Sequence, residues 1–129
     1  MKFKCFFTLI LLLVVSSNSF SKDDCSFTES LCVAQNNYSQ ADIQLNKIYQ
    51  RIVNKVELDG FEEYQVPKNE IKTSLLKSQR TWLKFRDANC EAYYRLFSGG
   101  TSRNVDALVC LNDMTVTRSK QLQKLYLEF

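Results

Sequence analysis

Histidine is absent from this chain. That removes the Ser-His-Asp and Cys-His nucleophile arrangements together with the His-Glu-x-x-His metalloprotease, each of which needs an imidazole to move a proton or hold zinc. Glycine is scarce, with three residues, and neither a G-x-x-x-x-G-K-[ST] loop nor a G-x-G-x-x-G turn occurs, so nucleotide phosphates find no obvious cradle of backbone N–H groups. Glycosidase chemistry needs two carboxylates facing each other across a cleft. Here Glu62 and Glu63 are adjacent in a connector and the other acids are scattered on helical patterns. No catalytic residue is therefore assigned, and no cofactor is expected. Strand-like alternation, internal repeats and low-complexity segments are lacking as well.

What is present begins with a leader. Lys2 and Lys4 precede a ten-residue apolar run, residues 6–15, followed by the small and polar residues 16–21. These are the three parts of a secretory signal peptide, and the run is half of the roughly twenty residues a spanning helix needs. Ser19 and Ser21 place cleavage after Ser21, giving a mature chain of residues 22–129 with no stable membrane anchor. Cys25 follows Lys-Asp-Asp rather than a lipobox, so lipidation is not expected. The predicted location is periplasmic or secreted.

Losing Cys5 with the leader leaves Cys25, Cys32, Cys90 and Cys110. An even count in an oxidising compartment reads as two disulfides. Zinc prefers Cys-x-x-Cys knuckles or histidines, which this chain lacks, so no metal site is assigned. Of the three possible connectivities, spacing favours Cys25 with Cys32 and Cys90 with Cys110. Without Lys2 and Lys4 the chain carries 15 basic and 14 acidic side chains, distributed unevenly. Residues 22–67 hold 4 basic and 8 acidic groups, residues 68–103 hold 8 and 3, so the halves attract each other when packed. Lys77, Arg80 and Lys84 form a basic stripe; a solvated helix face explains it, and nucleic acid is not an expected partner.

Three helices are legible. Ser26 and Glu29 form a capping-box pattern that starts a first helix near Phe27. Ala34, Tyr38, Ala41, Leu45, Ile48, Tyr49, Ile52 and Val56 then repeat at three and four, as the inward face of a helix does. Asp59-Gly60 makes a turn, and Pro67 suits the first turn of a second helix spanning residues 68–97. Its inward positions are Ile71, Leu75, Gln79, Trp82, Arg86, Cys90, Tyr93 and Phe97, and paired glycines end it. A third helix spans residues 105–127, with Leu108, Leu111, Thr115, Arg118, Leu122 and Leu125 facing inward. The predicted fold is all-α: one domain, a three-helix antiparallel bundle stapled by two disulfides.

The second helix carries an unusual stripe. Gln79, Trp82, Arg86 and Cys90 share one face, where a plain core would carry leucine and isoleucine. Such a stripe is either a buried polar network that fixes helix register or a recognition surface. Asp42, Asn46 and Tyr49 form a matching stripe on the first helix. The reading adopted here pairs Asp42 with Arg86 across the interface, with Asn46, Gln79 and the Tyr49 hydroxyl completing the hydrogen bonds and Asp87 adjoining them.

The order Ala41-Asp42-x-x-Leu45-Asn46-x-x-Tyr49, then Gln79-x-x-Trp82-x-x-Phe85-Arg86-Asp87-x-x-Cys90, Gly99-Gly100, Cys110 and Thr115-x-x-Arg118-x-x-x-Leu122 resembles the LprI-type lysozyme-inhibitor family. The resemblance covers nearly the whole mature chain. It implies a small secreted or lipid-anchored bacterial helical domain, with a lysozyme or related muramidase as protein partner.

An inhibitor of a cleft enzyme needs a rigid protrusion bearing polar groups. The connector Ser98, Gly99, Gly100, Thr101, Ser102 and Arg103 fits, because a Cys90–Cys110 bond would tether both its ends and lower the ordering cost of binding. An ordinary helix-helix turn has the same composition. The two alternative functions are an immunity protein against a delivered wall-degrading toxin and a non-enzymatic envelope adaptor; scattered exposed apolar residues would favour the adaptor.

Overall fold

A computed structural model describes residues 28–128. The expected leader, Ser26 of the capping-box pattern and Cys25 lie outside them. Three helices make up the fold: α1 (Glu29–Glu57), α2 (Lys68–Leu96) and α3 (Arg103–Tyr126), with a short 3-10 helix, Glu62–Tyr64, between α1 and α2. No described residue is in a strand.

Each boundary has a local cause. Thr28 occupies the N-cap of α1, with extended backbone, and its carbonyl accepts from Leu31 and Cys32 N–H. Pro67 sits at the N-cap of α2, one residue before the position expected from sequence, and its carbonyl accepts from Glu70 and Ile71 N–H. Between them the chain reverses through two left-handed residues, Asp59 at φ 61° and Gln65 at φ 53°. Gly60 is needed for proximity instead: a Cβ there would lie 2.9 Å from the Lys55 carbonyl oxygen and would collide with the Lys55 side chain. Gly99 and Gly100 follow α2, yet neither adopts positive φ.

Cross-helix contacts define the topology. Lys55 near the end of α1 donates to the Tyr126 carbonyl at the end of α3, at 3.0 Å, while Gln79 and Cys90 of α2 meet Arg118 and Cys110 of α3 in reverse order. Thus α1 and α3 run parallel, α2 runs antiparallel to both, and α3 packs most extensively on α1. Leu45, Ile48, Ile52, Leu75 and Leu122 form the hydrophobic core, edged by Tyr49, Val53, Trp82, Tyr126 and Leu127. Burying each of these five aliphatic side chains contributes about 1.5–3 kcal/mol. Below the core, Phe61 closes the base edge-on against Tyr126, ring centroids 6.3 Å apart.

The inward stripe departs from expectation at two helix ends. Tyr93, Phe97 and Leu125 are exposed, whereas Tyr94 and Tyr126 are half-buried. In both helices the buried stripe advances by four residues from Cys90 and Leu122, where a step of three had been assumed; steps of either size keep a helix face. One of the two expected disulfides, Cys90–Cys110, is formed, with Cα atoms 5.7 Å apart. The other expected pair includes Cys25 and so lies outside the described residues. Among those residues no helix is long and apolar enough to cross a membrane.

Candidate functional site

Above the aliphatic core the bundle changes character. Arg86 is 5% exposed and lies where all three helices meet. Its Nη1 donates to Thr115 Oγ1 at 3.1 Å and to Asp42 Oδ1 at 3.3 Å, and its Nε and Nη2 lie 2.9 and 2.8 Å from Asp87 Oδ1. Asn46 Nδ2 donates to the other Asp42 oxygen at 3.2 Å. One guanidinium therefore joins α1, α2 and α3, which offsets the cost of placing a charge so deep.

A second guanidinium lies one turn toward the core. Arg118 Nε donates to Gln79 Oε1 at 3.2 Å and its Nη2 donates to Ser78 Oγ at 3.0 Å. Burial pushes the Arg118 pKa down, and a tyrosinate at Tyr126 would oppose that shift. Trp82 lies between the two cations, with the Arg86 and Arg118 carbons 5.4 and 5.7 Å from its ring. Tyr38 contributes a second ring 5.5 Å from Arg86. Burial raises the Tyr38 pKa, an effect that Arg86 opposes and Asp42 and Asp87 reinforce.

The structure thus brings together Asp42, Asn46, Trp82, Arg86 and Asp87, but distributes the other two residues of the stripe differently. Gln79 serves Arg118, and Tyr49 packs against the hydrophobic core. Thr115, Arg118, Ser78 and Tyr38 belong to the cluster although the candidate stripe did not include them. A signal for two of them existed: Thr115 and Arg118 are three apart on α3, opposite Gln79 and Arg86, seven apart on α2.

The next layer outward is the Cys90–Cys110 bond, and beyond it lies the connector. Gly100 N–H donates to the Phe97 carbonyl at 2.8 Å and Ser98 N–H to the Arg95 carbonyl at 3.2 Å. Arg103 Nη1 reaches back to the Ser98 carbonyl at 2.9 Å, with its guanidinium carbon 5.2 Å from the Tyr94 ring. Ser102 Oγ donates to Asp106 Oδ2 at 2.7 Å. Arg103 is thereby a brace across the mouth of the loop, while Ser98, Gly99, Gly100, Thr101 and Ser102 are exposed. Just behind them stand Tyr93 and Phe97, ring centroids 4.9 Å apart, and Leu96, which is 74% exposed. Among the described residues, no three His, Cys, Asp or Glu side chains are grouped so as to hold a metal ion.

A family model described as "Lysozyme inhibitor LprI" matches residues 23–122. The chain belongs to the LprI family. In this LprI protein the matched span takes in the Arg86 cluster, the Cys90–Cys110 disulfide and the connector, while Tyr126 and Leu127 lie beyond it. Its relatives include "Uncharacterized protein YecT" of Escherichia coli (strain K12), 33% identical over 113 residues, covering 82% of this chain and 67% of that protein. "Uncharacterized protein R02472" of Rhizobium meliloti (strain 1021) is 29% identical over 98 residues, covering 74% of this chain and 70% of that one. No solved structure gives a significant match.

Proposed function

We propose that this LprI-family protein is a secreted or periplasmic binding protein that inhibits a lysozyme-like peptidoglycan hydrolase by steric occlusion. The active surface is the tip built by residues 93–103, and the Arg86 cluster is the scaffold that holds it. Inhibition of this kind uses no cofactor and no covalent step, and the protein itself is not an enzyme. Cleavage of the leader after Ser21 delivers residues 22–129 to the compartment where such a hydrolase acts.

One observation carries this reading: a loop closed by its own Arg103 brace lies beyond the Cys90–Cys110 disulfide, with the exposed Tyr93, Leu96 and Phe97 just behind it. A braced loop loses little entropy on docking, and adjacent apolar side chains offer the buried anchors that dominate binding energy. At Gly99 a Cβ would meet nothing within 4 Å, so the tip stands open there. Exposed apolar side chains occur at the base as well, Leu58, Tyr64 and Val66 among them, so it is the braced loop beside Tyr93, Leu96 and Phe97, and not exposed apolar surface alone, that favours occlusion over an adaptor.

The test is lysis of peptidoglycan by a panel of lysozymes with the oxidised mature protein added at increasing concentration. Dose-dependent inhibition that is lost in a Gly100→Arg/Arg103→Glu variant is the expected result. Inhibition retained by a folded variant would move the interface away from the connector, toward the acidic segment with Asp59, Glu62 and Glu63. No inhibition of any enzyme in the panel would overturn the reading.

A further inference from the structure

Beside the tip lies a groove of about 280 Å³, open to one side of the bundle. Tyr38 of α1 and Tyr94 of α2 contribute to its lining, with Ala107 and Leu111 of α3 supplying apolar surface and Asp87 and Glu91 supplying carboxylates. Arg86 and Cys90 also line it. The groove adjoins the connector through Tyr94, whose ring is covered by Arg103.

Its electrostatics are not balanced by the cation it contains. Of the charged side chains that line it, Arg86 stands against Asp87 and Glu91, and Asp42 shares that same guanidinium from outside the lining, while Arg103 lies at the connector end over Tyr94. Both Arg86 contacts to Asp87 fall on Oδ1, and Oδ2 has no partner among the described residues. Glu91 is similar: Arg95 Nε takes Oε1 at 2.7 Å, but that pair is a surface one, its side chains 75% and 55% exposed. Exposed pairs of this kind contribute little and exchange readily with another cation. The Tyr38 and Tyr94 rings already face Arg86 and Arg103, so what the groove offers a further cation is the apolar wall of Ala107 and Leu111 for its stem and carboxylates with spare oxygens for its head.

We infer that this groove receives a lysine or arginine side chain of the protein partner, fixing the partner's orientation while the neighbouring connector blocks its cleft. The inference rests on the occlusion reading for the identity of the partner, but the groove's preference for a cation is a property of this chain alone. The occupant is a protein side chain, because the groove is small and lies against the tip.

Two measurements separate the groove from the occlusion reading. In the first, blocked arginine (N-acetyl-arginine methylamide) is titrated into the labelled mature protein, with blocked glutamate as control. Saturating NMR shifts at Tyr38, Tyr94 and Glu91 with arginine alone, weakened in Glu91→Gln, are expected; no shift at these residues, or equal shifts at all surface carboxylates, would overturn the proposal. In the second, affinity for a basic lysozyme is compared between wild type, Glu91→Arg and, as a distant control, Glu128→Arg. A loss of about tenfold or more for Glu91→Arg, with little change for Glu128→Arg, is expected. Inhibition by wild type that Glu91→Arg retains in full would remove the groove from the interface and leave occlusion standing. Arginine binding in the groove without inhibition of any lysozyme would support the groove and remove occlusion.

Discussion

Arg86 on α2 and Thr115 on α3 meet in a buried hydrogen bond of 3.1 Å, and the same nitrogen lies 3.3 Å from Asp42 on α1. Replacing Arg86 by alanine removes the junction of all three helices and opens a cavity, so a loss of about 3–5 kcal/mol is expected. Asp42→Ala costs less, about 1–2 kcal/mol, because Asp87 still holds the guanidinium and Asp42 is partly exposed. Urea denaturation of the variants checks both. An unchanged midpoint in Asp42→Ala would show that the pair contributes nothing.

Ser119 Oγ is buried and finds no hydrogen-bond partner among the described residues. A buried orphan hydroxyl costs about 1–3 kcal/mol, and alanine is also the better helix former. Ser119→Ala therefore raises the denaturation midpoint, an uncommon direction for a change in a buried position. A lower midpoint would mean that the hydroxyl has a bound water or packs better than a methyl.

Gly60 and Gly99 should behave oppositely. At Gly60 an added Cβ would lie 2.9 Å from the Lys55 carbonyl oxygen, and Gly60 N–H donates to that same oxygen at 2.8 Å, so the backbone cannot easily move away. Gly60→Ala should cost about 1–3 kcal/mol, whereas Gly99→Ala should lie within about 0.5 kcal/mol of wild type. Thermal melts of the two variants measured side by side decide it.

The pH dependence has a defined sign at the base of the bundle. The hydrogen bond from Lys72 lowers the Glu57 pKa, its charge and that of Lys68 adding to the effect. A carboxylate with a lowered folded pKa contributes stability above its unfolded value, and that contribution is lost as pH falls through the folded value. Glu57→Gln should therefore lose stability at neutral pH but fall less steeply than wild type below the ordinary carboxylate range. Parallel denaturation curves at every pH would contradict this.

Much of this architecture is legible in the order of residues. The repeat from Ala34 to Val56 marks a helix unambiguously, and Pro67 and the Gly99-Gly100 pair bracket the next one to within a residue or two. Polar residues where Gln79 and Arg86 stand also point to a polar layer between helices. Which partner each takes is not encoded in one helix's spacing: Thr115 reaches Arg86, and Arg118 takes Gln79, only because α3 runs antiparallel to α2 at a particular register. The helix ends depart from the spacing for a related reason. A face advances by three or four residues, and only the neighbouring helix selects Tyr94 over Tyr93 or Tyr126 over Leu125. The Arg103 brace depends on loop backbone conformation, which composition does not specify.

On the occlusion reading the tip and the groove beside it, and not the base of the bundle, meet the hydrolase. Leu96 at the tip is 74% exposed and Leu125 near the base is 58% exposed, so aspartate at either should leave the fold intact. The decisive measurement is inhibition of peptidoglycan lysis by Leu96→Asp and Leu125→Asp, each verified as folded, against wild type. A loss of about tenfold or more in inhibitory potency is expected for Leu96→Asp and none for Leu125→Asp. Equal potency of the two variants, or a loss confined to Leu125→Asp, would contradict it.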